Sequence, residues 1–199
     1  AFAAGEKAWN QALEMAGATL DDLDLRRLAN YFRDIRRQGC PEAADREGWE
    51  RLLVNTELMA EDRGRPMPSV AGVLLFGTRP KKFLPQSGIT AVAYSGTQKD
   101  YDARARQTLA GPLVSLFPSP ASQAAMYPNL PATFSAGVDA VEAGVIEQTL
   151  EFIRRNIEVA AQVDEGGQRQ ERWEYPLETM REAVVNAVAH RDYTIGVTD

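Results

Sequence analysis

Residues 68–94 read PSVAGVLLFGTRPKKFLPQSGITAVAY, and two short apolar runs in this stretch decide the expected fold class. Val70–Phe76 is a continuous apolar run bounded by proline and glycine, which is typical of a strand buried on both faces. Ile89–Tyr94 is a second β-like run, and the intervening residues 78–86 are expected to form a loop. Buried strands next to helical segments predict an α+β (mixed α/β) fold.

The sequence before this stretch predicts a helical N-terminal part. One helix is expected over residues 21–38, where apolar side chains at helical spacing form a single stripe: Leu25, Leu28, Phe32 and Ile35. A second helix is expected over residues 46–62, ending before Gly64 and Pro66. Together with the two strands, these segments predict a small sheet that follows a helical part.

The sequence after the second strand is expected to be irregular at first and regular again later. Residues 97–135 should be irregular apart from a short helix near residues 121–126, and a proline-rich insertion occupies residues 112–135. A long helix should follow over residues 138–157. Val159–Val163 and residues 169–175 flank two glycines and predict a hairpin. A terminal helix should run from Leu177 to about Arg191, directly after a proline.

The charge balance argues against a nucleic-acid-binding domain that acts alone. The chain has 22 Lys and Arg against 28 Asp and Glu, a net charge of −6, whereas phosphate-binding domains usually carry a basic surplus. A local basic face stays open, because five arginines crowd the first predicted helix: Arg26, Arg27, Arg33, Arg36 and Arg37. We interpret them as a solvated face paired with Asp24 and Asp34.

Cysteine content and apolar run length exclude two further classes of protein. Cys40 is the single cysteine, so an internal disulfide is excluded and a reducing, cytoplasmic location is expected. The longest apolar run falls far short of the roughly 20 residues that cross a bilayer, so no membrane partner is expected.

Three polar residues on the terminal helix form the candidate chemical site. Glu182, Asn186 and His190 fall at positions i, i+4 and i+8, which places them on one helical stripe. A carboxylate and an amide oxygen one turn apart can bind Mg²⁺ directly or through water, and a carboxylate can orient an attacking water. The alternatives are a solvent-facing polar stripe and a structural histidine.

Other catalytic patterns find less support in the sequence. One histidine and one cysteine disfavour a zinc site. A G-x-x-x-x-G-K-[ST] phosphate loop is absent, which disfavours a Walker-type ATPase. A Ser–His–Asp arrangement using His190 stays open, because such triads form in space rather than in sequence.

The sequence YPLETMREAVVNAVAHRDY at residues 175–193 resembles a family signature, Y-P-x-x-A-x-R-E-A-x-x-N-A-x-x-H-R-D-Y. That signature belongs to bacterial Schlafen/Alba-type transcriptional regulators, also called divergent AAA or RecG-helicase-like proteins. Residues 68–77, PSVAGVLLFG, and residues 152–156, FIRRN, are similar to two further segments of this Schlafen-like family. Thr179 departs from the signature, which often has alanine there.

The resemblance implies a GHKL-like ATPase domain that begins with the terminal helix. Glu182 would then be the water-activating base and Asn186 the Mg²⁺ ligand, with His190 and Asp192 also in the ATP-binding site. The implied organisation is a helical connector at 1–66, an α/β segment at 67–176 and the first ATPase helix at 177–199. The chain would be a middle fragment, because Asp199 precedes any glycine-rich nucleotide box.

The implied function is an ATP- and Mg-linked regulatory module of a cytoplasmic transcriptional regulator. ATP, Mg and any ATPase activity are expected of the full-length protein, whereas the isolated chain is expected to hold no cofactor tightly and not to be an enzyme. The family also implies DNA binding through an N-terminal domain, and a homodimer is a further expected partner.

Two alternatives stay open. One is a winged-helix-like DNA-binding module made of the first two helices and residues 64–76. The other is a structural or dimerising connector.

Overall fold

The structure, a computed structural model, describes residues 17–94, 103–115, 144–157, 159–163, 169–173 and 175–193. The chain divides into two compact units. The first unit comprises Ala1–Gly88, Ala110–Gly144 and Asp192–Asp199, and the second comprises Ile89–Leu109 and Val145–Arg191. Each unit combines helices with small antiparallel hairpins, so the predicted α+β class is confirmed.

The first unit is mainly helical. Its elements in chain order are a 3-10 turn at Leu20–Asp22, α1 at Leu25–Asn30 continued by a π-helical turn at Tyr31–Ile35, α2 at Arg46–Asn55, β1 at Met59–Asp62, β2 at Arg65–Pro68, α3 at Val70–Phe76, α4 at Pro80–Phe83 and a 3-10 turn at Pro85–Ser87. Strands β1 and β2 form an antiparallel hairpin with Met59 opposite Pro68 and Asp62 opposite Arg65.

The described residues of the second unit form two hairpins and two helices. Its elements are β3 at Ile89–Tyr94, β4 at Ala103–Leu109, α5 at Val145–Asn156, β5 at Val159–Val163, β6 at Arg169–Trp173 and α6 at Leu177–Ala189. Strand β3 pairs antiparallel with β4, and β5 with β6. Helix α5 packs against the β3–β4 hairpin and against α6.

Large apolar side chains from α1, α2 and α3 form the core of the first unit. Phe32 and Trp49 lie with their ring centroids 6.4 Å apart, and Tyr31 meets Phe76 edge-on at 5.2 Å. The buried cluster comprises Leu20, Leu23, Leu28, Phe32, Trp49, Leu53, Leu58, Met59 and Phe76. The stripe predicted from Leu25 to Phe32 therefore faces the core, whereas Ile35 is 48% exposed.

Short polar side chains cap the N-termini of α1, α2 and α3. The Asp24 carboxylate accepts a hydrogen bond from the Arg27 backbone N–H at 3.1 Å, and the Asp45 carboxylate accepts one from Gly48 at 2.9 Å. Ser69 Oγ accepts from the Gly72 N–H at 3.0 Å and donates to the Glu57 carbonyl at 2.9 Å. These caps satisfy backbone donors that a helix leaves unpaired in its first turn.

The strand predicted at Val70–Phe76 is wrong, because this run forms helix α3. The helix is buried nearly all round, so its apolar residues need no helical periodicity, and the Ser69 cap begins it. Gly72 allows the tight packing, because a Cβ there would lie 2.1 Å from the Leu58 carbonyl oxygen. A continuous apolar run does not by itself distinguish a buried strand from a buried helix.

The helix predicted over residues 46–62 is too long, because α2 ends at Asn55. The Leu58 N–H donates to the Leu53 carbonyl at 2.9 Å and the Glu57 N–H to Val54 at 3.1 Å, with Glu57 at φ 60°. This is the Schellman arrangement that ends helices, here without the usual glycine. The chain then turns into β1, and the β1–β2 turn uses positive φ at Arg63 (49°) and Gly64 (76°).

Two segments expected to be irregular contain regular structure. Helix α4 and a 3-10 turn occupy most of residues 78–86, and β4 lies within residues 97–135. Strand β4 is largely exposed and carries two arginines, so its sequence lacks an apolar alternation. Most of the proline-rich insertion, residues 116–135, lies outside the described residues.

The elements predicted near the end of the chain are confirmed. Strand β3, the β5–β6 hairpin and helix α6 lie where the sequence placed them. The long helix begins, in the described residues, at Val145, and residues 138–143 of that prediction lie outside them. None of the described helices combines the length and hydrophobicity needed to cross a bilayer.

Replacing Gly72 tests the packing of α3 against the end of α2. Gly72→Ala should destabilise the protein by about 1–3 kcal/mol, because the new methyl group meets the Leu58 carbonyl and the backbone has to move. Urea unfolding measures the loss. Gly39→Ala is the control, since no atom lies within 4 Å of a Cβ at that position. Equal midpoints for the two variants would contradict this packing.

Asp22 should make stability depend on pH in the acid range. Partial burial acts to raise its pKa, but hydrogen bonds from the Thr19 backbone at 3.0 Å and from Lys82 Nζ at 3.1 Å outweigh it, so the pKa lies below 3.8. The contribution is present above about pH 4 and is lost as pH falls through the folded-state pKa.

The urea midpoint of unfolding, measured between pH 6 and pH 2.5, should fall less steeply with decreasing pH in Asp22→Asn than in the wild-type protein. Asp62→Asn is the matched control, because Asp62 forms no ion pair in the described part of the chain. An unchanged profile in Asp22→Asn would show that this carboxylate has no such role.

Candidate functional site

Helix α6 carries the site predicted from the sequence. It begins after Pro176, whose carbonyl accepts the Met180 N–H at 3.2 Å. It ends at Ala189, and the His190 N–H donates to the Asn186 carbonyl at 3.0 Å. Proline suits the start of a helix because its fixed φ is already helical and the first N–H groups have no intrahelical partner.

The apolar side of α6 faces the interior of the second unit. Val188 is buried, and Met180, Val184 and Val185 are half-buried. Helix α5 packs against α6 and contributes its own buried side chains, among them Val145, Ile146 and Leu150. This packing holds one side of α6, and the opposite side is left to solvent.

The predicted polar stripe lies on the solvent side of α6. Glu182, Asn186 and His190 are all exposed. Successive members are one turn apart, which corresponds to roughly 6 Å along the helix axis. Their side chains form no hydrogen bond or ion pair with any residue of the described part of the chain. The structure therefore brings these three residues together and leaves their polar atoms available to a ligand.

The stripe does not contain the donors of a complete metal site. Within the described ranges, no group of three or more His, Cys, Asp and Glu side chains could hold a metal ion. Mg²⁺ typically binds one or two protein oxygens and completes its octahedron with water and phosphate oxygens. The Glu182 carboxylate and the Asn186 amide oxygen fit that donor set, provided that a phosphate ligand contributes the rest.

Asp192 is placed differently from the other predicted site residues. It is exposed and lies beyond the end of α6, in the segment Asp192–Asp199 that belongs to the first unit. Arg191 before it is half-buried, and Tyr193 after it is buried. Its assignment to the site stays a prediction from the resemblance.

The arginines of the first helix separate into two groups, and the prediction of one solvated, paired face is only partly right. Arg33 pairs with Asp34 at 2.8 Å, as expected. Arg27 is instead buried, and its guanidinium donates to the Leu75 carbonyl at 3.0 Å and to the Val114 carbonyl. Asp24 caps α1 rather than pairing with an arginine side chain.

Sequence reasoning missed that three of these arginines lack acidic partners. Arg26, Arg36 and Arg37 are exposed and form no ion pair or side-chain hydrogen bond in the described residues. Counting charges would have found this, because the two aspartates assigned to the face, Asp24 and Asp34, cannot neutralise five arginines. Asp24 also caps the helix.

No protein-family model, curated protein or solved structure matches this chain. The assignment to the Schlafen/Alba-type family therefore stays a prediction that rests on the motif at residues 175–193.

Proposed function

We propose that α6 provides one wall of a Mg–nucleotide site in a regulatory module of a transcriptional regulator. The single observation that carries the proposal is the exposed stripe of Glu182, Asn186 and His190, whose polar atoms have no partner in the described residues. The resemblance of residues 175–193 to an ATPase signature supports the nucleotide as the ligand.

Each residue has a distinct proposed role. Asn186 would bind Mg²⁺ through its amide oxygen, and Mg²⁺ when bound would neutralise charge on the phosphates. Glu182 would accept a hydrogen bond from a water and orient it, as a general base does. His190 would contact the nucleotide, as the resemblance implies.

The proposal needs polypeptide with a glycine-rich phosphate-binding segment, which this sequence does not contain. Backbone N–H groups of such segments are the usual partners of nucleotide phosphates. The test therefore compares this chain with the full-length regulator that the resemblance implies.

Calorimetric titration with ATP and Mg²⁺ tests the site. The full-length protein should bind, and Asn186→Ala should weaken binding by about tenfold or more, because a direct metal ligand is lost. Glu182→Gln should keep nucleotide affinity and lower any hydrolysis rate by roughly 10²–10⁴-fold. The isolated chain should bind weakly or not at all.

Glu178→Gln is the matched control, because Glu178 is an exposed carboxylate on the same helix to which the proposal gives no role. Circular dichroism confirms that each variant is folded. Equal losses of hydrolysis in Glu178→Gln and Glu182→Gln would show a general charge effect. A folded full-length protein that binds no ATP would eliminate the site and leave a solvent-facing polar stripe.

A further inference from the structure

The exposed side of α1 is a basic surface in the described part of the first unit. Four exposed arginines lie within residues 26–37, and Asp34 is the one acidic residue among them. Arg33 donates to Asn30 Oδ1 at 2.8 Å and to the Asp34 carboxylate, so these side chains lie side by side. We call the set Arg26, Arg33, Arg36 and Arg37 the α1 arginine face.

Three of the four charges on the α1 arginine face are available to a partner. Arg33 is paired with Asp34, whereas Arg26, Arg36 and Arg37 form no ion pair in the described residues. Hydrogen bonds from Arg33 lower the pKa of the Asp34 carboxylate, and so do the nearby charges of Arg33 and Arg37. The net charge of the face is +3, which complements an anionic partner.

The core holds the α1 arginine face in place. Leu28 and Phe32 are fully buried on the opposite side of the helix, and Arg27 is anchored to two backbone carbonyls. At the end, the Arg36 N–H donates to the Tyr31 carbonyl at 3.0 Å and the Gln38 N–H to Phe32 at 2.9 Å. The backbone that carries the face is therefore held in place by the core and by these hydrogen bonds, and the arginine side chains extend from it into solvent.

The α1 arginine face is long rather than convergent. Arg26 lies in the first turn of α1, whereas Arg36 and Arg37 follow the end of the π-helical turn, so the arginines are spread along the helix. A single phosphate group would require arginines that converge on one point, whereas spaced arginines match the repeated phosphates of a nucleic-acid backbone. Ile35, at 48% exposure, adds an apolar contact beside the charges.

The surroundings favour a duplex over a single strand. Proteins that bind single strands usually stack bases on exposed aromatic rings. Phe32 is buried and Tyr31 is half-buried, and the large exposed hydrophobic side chains in the described ranges are Ile35 and Tyr175. The α1 arginine face therefore offers charge for phosphates but no platform for bases.

The winged-helix alternative took residues 64–76 as the wing, but the structure has a hairpin over residues 59–68 and helix α3 at Val70–Phe76. The charge is also not where that mode uses it. Helix α2 exposes Glu47 beside Arg51, and the hairpin turn places Arg63 and Arg65 next to Glu61 and Asp62. These charges cancel, so the second helix and the hairpin offer no basic surplus.

We propose that the α1 arginine face binds the phosphate backbone of duplex DNA without reading its sequence. This inference does not depend on the nucleotide site of α6. Hydrogen bonds from guanidinium to phosphate contribute affinity and fix the position of the protein on the duplex. Contacts to base edges would be needed to recognise a particular sequence.

Fluorescence anisotropy of the 199-residue chain with a labelled 20-base-pair duplex of arbitrary sequence, at 50 to 200 mM KCl, tests the proposal. Wild-type affinity should fall linearly on a log–log plot against salt, with a slope of about −0.9 per phosphate contact. Arg36→Gln/Arg37→Gln should make the slope of log affinity against log salt less negative by about 2. It should also weaken binding at 50 mM KCl by about tenfold or more. Arg36→Lys/Arg37→Lys should retain most of the affinity.

Arg63→Gln/Arg65→Gln is the matched control, because it removes the same charge from an exposed hairpin turn in the same unit. It should change affinity by less than about twofold under the same salt conditions. Loss of binding in the control but not in Arg36→Gln/Arg37→Gln would overturn the proposal in favour of the hairpin. Absent or salt-independent binding would also overturn it, as would equal affinity for single-stranded DNA, RNA or polyglutamate.

Discussion

The buried guanidinium of Arg27 joins three segments of the first unit. It projects from α1, donates to the Leu75 carbonyl in the last turn of α3, and donates to Val114 in the segment that follows β4. A cation suits this position, because the unpaired carbonyls at a helix end carry partial negative charge. The Asp24 N–H also binds the Phe76 carbonyl at 2.8 Å, and the Leu113 N–H binds Leu74 at 2.8 Å. The end of α3 is thus held from two sides.

This anchoring explains why neighbouring arginines of one helix have different roles. Arg27 lies on the side of α1 that faces the core, where leaving a buried guanidinium unpaired would be costly and backbone carbonyls supply its partners. Arg26, Arg33, Arg36 and Arg37 lie on the solvent side, where one aspartate is their acidic neighbour. The same anchoring therefore orients α1 and leaves its basic face exposed.

The second unit arranges its candidate site by a similar division of one helix. Packing of α6 against α5 covers Val188 and partly covers Met180 and Val184, which leaves Glu182, Asn186 and His190 in solvent. An exposed polar stripe has no energetic need for a partner, so its exposure is compatible with a ligand site and with simple hydration. The exposed polar atoms carry the proposal of a ligand site, and the resemblance of residues 175–193 supports a nucleotide as the ligand.

The sequence alone determined the elements whose signals are local. Helical spacing placed α6 and its polar stripe, and two glycines between β-like runs placed the β5–β6 hairpin. Only the tertiary structure decided that Val70–Phe76 is a helix, that α2 stops at Asn55 and that Arg27 is buried. An apolar run is equally stable as strand or helix until its neighbours are known. An arginine, likewise, becomes a buried anchor only where distant carbonyls lie within reach of its guanidinium.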